Sequence, residues 1–210
     1  MLAALWNGRP VDLAFVPSTP GALAPLTFED RAGWEILQHS SAHLVAKGLV
    51  EVIPEALPTH GPPTDDGFYY DFDVRPLTPP DLQAIGEAMT RSIRAKEPFL
   101  RRELPREDAR RLFASNPYKL RYIADSAEDE AISVYDTGGF TDLCRGPHVP
   151  DTHWLEGVHL LGFSAVEPTE AGGRALQRVR GVGFPTREQL AKFLKLREEA
   201  AARDLSLIHI

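Results

Sequence analysis

One cysteine, Cys144, in 210 residues excludes an internal disulfide, so that side chain serves as a small apolar filler, a reactive thiol or a metal ligand. No apolar run approaches the roughly 20 residues that a bilayer helix needs. The opening Met1-Leu-Ala-Ala-Leu-Trp-Asn-Gly-Arg-Pro10 is a short apolar stretch without a basic n-region, which points away from a signal peptide and toward a cytoplasmic chain. Cations are few: 30 Asp and Glu against 23 Lys and Arg give a net charge of -7. Such a balance argues against a non-specific nucleic-acid binder, which needs clustered cations, although it leaves room for a local basic patch. No Walker loop, GxGxxG or GxSxG occurs, so nucleotide hydrolysis and nucleophile-elbow chemistry have no support. The remainder, 43% hydrophobic and 25% charged with 18 Pro and 16 Gly, describes a globular chain of one or two domains.

Periodicity and punctuation predict the elements. Asn7-Gly8 between two apolar stretches reads as a tight hairpin. Glu29-Asp30 is placed to cap a helix over about 32–53, ended by Pro54 and apolar on two faces. Phe68 to Asp73 alternates aromatic and acidic residues like a half-buried strand, the second arm of a hairpin turning at Asp65-Asp66-Gly67. Thr78 before Pro79-Pro80-Asp81 starts a helix reaching Lys96, and a shorter one covers 107–114. Strands 131–135 and 140–144 flank a four-residue loop, Asp136 to Gly139, with further strands at 158–166 and 175–179. Thr186 and Gln189 form a capping box for a helix to about Arg203. The fold class is therefore α+β, a largely antiparallel sheet with packed helices over about 30–185, preceded by a small β unit.

Four of the eight Cys and His residues fall into two pairs of equal spacing: His39 with His43, and Cys144 with His148. In a helix, i and i+4 share a face about 5–6 Å apart, so both imidazoles can address one small object. Asp142 and Cys144 share a strand face, and Arg145-Gly146-Pro147 can fold His148 back toward the thiol. Three imidazoles and a thiolate suit tetrahedral zinc, and equally suit metal-free acid–base work on an ester. His60, His153, His159 and His209 have no such partners and read as background. From Arg91 to Arg111 eight basic residues stand against four acidic ones. This run is either a solvated helix face or a phosphate-tracking surface, to which Arg174, Arg178 and Arg180 can add.

His39-Ser-Ser-Ala-His43, Gly67-Phe-Tyr-Tyr-Asp71, Asn116-Pro-Tyr-Lys119, Asp142-Leu-Cys-Arg-Gly-Pro-His148-Val-Pro and Leu176-Gln-Arg-Val179 occur in this order. Together they resemble the second N-terminal domain of bacterial threonyl-tRNA synthetases, an editing module shared with alanyl-tRNA synthetases. Residues 1–29 resemble the C-terminal part of the small TGS β domain before it, 30–185 the editing domain, and 186–204 a linker helix toward a catalytic domain.

The resemblance implies hydrolysis of the ester in seryl-tRNA(Thr), with tRNA(Thr) mischarged with serine as partner, no membrane, and a homodimeric parent enzyme. It implies His39, His43, Cys144 and His148 as catalytic residues and Lys119 and Asp142 as substrate-binding ones; from the charge run, Arg91, Arg94, Arg101, Arg102 and Arg178 are the residues expected at the nucleic acid. Cys144 and the histidines would polarise a water, Lys119 would favour developing charge, and Asp142 would hold the serine ammonium or hydroxyl. The relatives divide on metal: the alanyl type holds zinc with this set, whereas the bacterial threonyl type is expected to need none. ATP and a further zinc belong to the catalytic domain, so the chain is expected to be a fragment unable to activate threonine. A rival reading is a zinc-stabilised tRNA-binding module without hydrolysis. Two departures stand out: Phe163 to Arg174 replaces a Tyr-Trp-Arg/Lys-Gly-Asp segment, and Leu205-Ser-Leu-Ile-His-Ile210 reads as non-native sequence.

Overall fold

A computed structural model describes residues 1–127, 131–167 and 175–206. Every strand pairing given by the described residues is antiparallel, and the strands form three sheets. The first joins β1 (Ala3–Trp6), β2 (Arg9–Val11) and β3 (Leu23–Leu26) in the order β2-β1-β3. Its hairpin turns at Asn7 and Gly8, both at positive φ, as the Asn-Gly pair demands. Leu2, Ala3 and Leu26 pack into the same core as the long helix α1 (Arg31–Val52).

Helix α1 is buried around most of its girth, from Ile36 and Leu37 to Ala46 and Leu49. Asp30 stands at its N-cap, but its carboxylate turns back to accept from Thr27 N (2.7 Å) and Oγ1 (2.9 Å), so it caps no helical N–H. The helix lies on the second sheet, formed by β4 (Leu57–Pro58), β6 (Gly67–Asp73), β10 (Gly157–Val166) and β11 (Leu176–Phe184) in the order β10-β11-β6-β4. The short β5 (Pro63–Thr64) also pairs with β6. Gln38 ties helix to sheet, donating to Gly183 O (2.7 Å) and accepting from Gly183 N (2.8 Å). Strand β6 is more deeply buried than its alternation predicts: Phe68, Tyr70 and Phe72 enter the core, while Asp71 is also covered because Arg178 neutralises it from β11.

Helix α2 (Pro79–Ala95) begins with the Thr78–Asp81 capping box and packs on α1. The third sheet, β7 (Leu100–Leu104), β8 (Ile132–Thr137) and β9 (Phe140–Leu143), is backed by α3 (Arg106–Leu112) and α4 (Pro117–Asp125) over a smaller core around Phe113, Ile123 and Val134. The β8–β9 loop is shorter than the four residues predicted. Thr137 pairs with Phe140, leaving Gly138 and Gly139 at φ 52° and 83° as a two-residue turn. Strand β11 runs five residues beyond the predicted end at Val179, because Arg180 to Phe184 continue the ladder with β10. Helix α5 (Arg187–Ser206) opens on Thr186, which accepts from Gln189 N, and packs on β10 and β11. No helix among the described residues is long and apolar enough to cross a membrane. Residues 168–174 of the departing segment, Arg174 included, and residues 207–210 with His209 lie outside the described residues.

Candidate active site

The helical spacing of His39 and His43 does what geometry requires: both rings leave α1 on one side, with centroids 4.9 Å apart. The second pair arrives from the end of β9. Cys144 N donates to Ser133 O, extending the β8–β9 ladder by one residue. Gly146 then reverses the chain at φ 70°, where a Cβ would collide with the Tyr135 hydroxyl, so only glycine fits. His148 consequently returns to the thiol, and its Nε2 lies 3.3 Å from Cys144 Sγ. His39 Nε2 lies 2.8 Å from the same sulfur. The rings of His39 and His148 stack at 4.6 Å, and His43 meets His148 edge-on at 4.3 Å. One donor atom from each of the four residues lies within 4.8 Å of all the others.

Lys119 and Asp142 are paired with each other. Asn116 caps α4 by accepting from Tyr118 and Lys119 N–H, which turns Lys119 inward. Its Nζ lies 2.5 Å from Asp142 Oδ1 and donates to Tyr70 Oη at 3.1 Å. Tyr70 donates to Asp142 Oδ2 at 2.5 Å, Leu143 N donates to Oδ1 at 2.8 Å, and His43 Nδ1 stands 4.0 Å from Oδ2. Asp142 is thus engaged on both oxygens, which leaves little acceptor capacity for a serine ammonium or hydroxyl.

A cavity of about 300 Å³ opens beside this array, lined by His39, His43, Tyr70, Lys119, Asp142 and Cys144. His148 sits behind it, almost wholly buried, with Phe99 stacked on one side and Tyr135 edge-on. Burial dominates the titration of the site. It lowers His39 to about 4 and His43 to about 3, against a weaker upward pull from Asp142, and holds His148 well below the ordinary value. It pushes the Cys144 thiol up to about 12, partly opposed by the Gly146 N–H on the sulfur. For Asp142, burial pushes upward, but Lys119, His43 and the bonds from Lys119 and Tyr70 outweigh it and hold the carboxyl below its usual range. At neutral pH the site therefore offers neutral imidazoles, a neutral thiol and one charged pair.

The arginines are spread over the fold. Arg91 and Arg94 lie on α2, Arg101 and Arg102 on β7, and Arg178 on β11. Arg91 pairs with Glu51 (2.7 Å), Arg101 with Glu103 (2.8 Å) and Arg102 with Asp136, while Arg94 is exposed. Arg178 grips Asp71 with two bonds of 2.7 Å and lies over the Tyr69 ring. The basic run is thus a helix end, a strand and a second helix, where a single solvated helix face was one expectation.

Sequence reasoning missed three members of the site. Tyr70 was read as a strand aromatic within the Gly67–Asp71 motif and given no role in the site, and its inward-facing position on β6 was the available signal. His60, set aside as background, lines the cavity from the turn before β5. Asp12 reaches the site from the N-terminal unit, which no local pattern announces.

Residues 132–180, which include Asp142, Cys144 and His148, match the family described as the threonyl and alanyl tRNA synthetase second additional domain. Over 208 residues the chain is 41% identical to a threonine–tRNA ligase of Symbiobacterium thermophilum, covering 97% of this chain and 32% of the relative. This chain is similar to threonine–tRNA ligases along nearly its whole length. Threonine–tRNA ligases of Thermoplasma volcanium (38% over 194 residues, 92% of this chain and 29% of the relative) and Enterococcus faecalis (40% over 206 residues, 97% and 32%) agree. The chain spans about a third of the length of these curated relatives. The second additional domain of threonyl and alanyl tRNA synthetases is therefore the frame in which the cluster around Cys144 and His148 is to be compared.

Proposed function

We propose that this domain hydrolyses the ester of an aminoacyl-tRNA, its substrate being tRNA(Thr) mischarged with serine. The observation that carries this reading is the convergence of His39, His43, Cys144 and His148 on one point at the wall of a small cavity that also holds the Lys119–Asp142 pair. About 300 Å³ is at the small end of ligand pockets, fitting an aminoacyl group on a ribose better than a larger substrate. Such a step is needed because serine is threonine without a methyl group, and one methyl discriminates by only about 1–3 kcal/mol in a binding pocket. A second pocket that excludes threonine by that methyl supplies the missing selectivity.

The chemistry follows from the protonation states. Neutral imidazoles at His39 and His43 can accept a proton from a water attacking the ester carbonyl, and Asp142 favours the imidazolium that forms on His43. Lys119 favours the negative charge that develops on the carbonyl oxygen. A thiol held up at about 12 supports Cys144 as a polarising neighbour of the water, not as a nucleophile forming an acyl-enzyme.

Three imidazole nitrogens and one sulfur also fit a tetrahedral zinc ion, with His39, His43, Cys144 and His148 as its ligands. With all four bound, such an ion would be closed to water and would act structurally; with three bound, it would lower the pKa of a water in the fourth position. We propose that hydrolysis needs no metal. Stoichiometric zinc in purified protein, with hydrolysis abolished by chelation, would defeat this. The same donor set favours one rival, a zinc-stabilised tRNA-binding module, under which His39→Ala unfolds the protein instead of leaving a folded, inactive one.

The tRNA partner, a dimeric parent enzyme and an ATP-dependent catalytic domain beyond α5 belong to this proposal. So do Arg91, Arg94, Arg101 and Arg102 as phosphate contacts, supported by their exposure, and Arg178 as a contact near Tyr69. The test is deacylation of seryl-tRNA(Thr) against threonyl-tRNA(Thr), where preference for the seryl form is expected and equal or absent hydrolysis refutes the reading.

A further inference from the structure

The geometry points to Asp12, a residue of the N-terminal β unit, as the positioning residue that holds the Cys144–His148 loop in its working shape. This rests on the hydrolytic reading above and extends it to a part of the chain outside the matched residues 132–180.

Asp12 follows β2, and both of its carboxylate oxygens are spent on the site. Oδ1 accepts from the backbone N–H of His148 at 2.9 Å, and Oδ2 accepts from the Tyr135 hydroxyl at 2.6 Å. Tyr135 in turn lies edge-on to the His148 ring at 4.4 Å, and its hydroxyl fills the space beside Gly146. A single carboxylate therefore fixes the loop from its backbone and from the ring packed against it. Removing it would leave the N–H of His148 and the Tyr135 hydroxyl without their acceptor, a cost that the loop relieves by moving or by admitting water in its place.

Movement there matters because the other end of His148 is tightly constrained. Ser40 Oγ donates to Ile36 O (2.8 Å) and accepts from Val149 N (3.1 Å), so its contact with His148 Nδ1 (3.0 Å) is satisfied by a proton on Nδ1. Nε2 is then the free lone pair that faces Cys144 Sγ at 3.3 Å. Asp12 places the backbone of His148 and Ser40 fixes its tautomer. The lone pair meets the sulfur only when both hold. Displacements of about 1 Å in such arrays cost on the order of 100-fold in rate.

Asp12→Ala is the direct test, with Asp12→Asn as the conservative variant. An asparagine keeps an acceptor for the His148 N–H and can donate to the Tyr135 oxygen, so the loop keeps its shape. In deacylation of seryl-tRNA(Thr), Asp12→Ala is expected to lower kcat by about 10- to 100-fold with KM within about twofold. Asp12→Asn should restore kcat to within about threefold of the parent, and Tyr135→Phe should fall between the two.

Histidine side-chain NMR gives a readout independent of activity: the His148 ring signals should move in Asp12→Ala while those of His159 stay. Unchanged kcat and unchanged His148 signals in a folded Asp12→Ala would overturn the proposal, as would a loss expressed only in KM. Should Asp12→Ala not fold, Tyr135→Phe decides in its place: an unchanged kcat and unmoved His148 signals again overturn it. If the parent protein fails to hydrolyse seryl-tRNA(Thr) at all, the hydrolytic reading falls, and the His148 signals alone then decide whether Asp12 positions the loop.

Discussion

Lys119 and Arg102 each pair with an aspartate, yet the two pairs live in different solvents. Lys119 and Asp142 have side chains only 5% and 2% exposed, whereas Arg102 and Asp136 are 50% and 26% exposed. In water, side-chain entropy and screening cancel most of the attraction between two charges, so the surface pair is worth little. Inside the protein the desolvation of each charge is large, and the pair persists because Tyr70 and the Leu143 N–H satisfy what the ions leave over. The contrast teaches that the number of charges in a segment is a poor guide to its role. The run Arg91–Arg111 is rich in cations but stays in contact with solvent, whereas the hydrolysis proposed above rests on a few buried or half-buried polar side chains around Asp142.

The sharpest way to break this contrast is to remove a member of the buried set. His43→Ala should slow seryl-tRNA(Thr) deacylation by about 10²- to 10⁴-fold, the range for loss of a general base, with the far-ultraviolet spectrum unchanged. Lys119→Met should destabilise the fold by about 3–5 kcal/mol in urea unfolding, because it strands a buried carboxylate. Adding Asp142→Asn should return part of that loss, and additivity of the two changes would contradict the pairing.

Acid gives a third test. His39 and His43 are held at about 4 and about 3 in the fold against 6.5 for the free side chain. Between these values the unfolded chain binds protons that the folded one cannot, so stability is full above pH 6.5 and falls as pH drops toward 4. The urea midpoint should therefore be lower at pH 5 than at pH 7.5, and an equal midpoint would show that the imidazoles are not buried neutral. The smallest effect is expected at the surface. Arg91→Ala and Arg102→Ala should each change stability by less than about 1 kcal/mol. Each arginine that meets a phosphate should also lower the salt slope of tRNA binding by about 1. A large stability loss at either arginine would erase the distinction between the two regions.

Much of the site was legible because it is local. The i, i+4 spacing of His39 and His43 needs only a helix, and α1 announces itself by its apolar residues and the stop at Pro54. Cys144 and His148 were readable as a pair because Gly146-Pro147 marks a reversal. Long-range partners were not. Nothing near Tyr70 says that its hydroxyl meets Asp142, 72 residues away, and nothing near Asp12 says that it meets His148, 136 residues away. Helix α4 (Pro117–Asp125) was missed although Asn116-Pro117 is a helix start, because it is only nine residues long and two residues, Lys119 and Ile123, are its buried ones. Strand β7 was hidden inside the basic run, where its solvent-exposed residues, Arg101 and Arg102 among them, masked its pairing with β8. In each case burial or pairing with a distant strand decided what propensity left open.

The central claim is that the four-residue cluster performs selective hydrolysis, and the most direct measurement is the rate of deacylation of seryl-tRNA(Thr) and threonyl-tRNA(Thr) by the parent protein and by His39→Ala. Faster release of serine than of threonine by the parent, with the seryl-specific activity lost in a folded His39→Ala, is the predicted result. Undiminished seryl-specific hydrolysis in that variant would contradict the account.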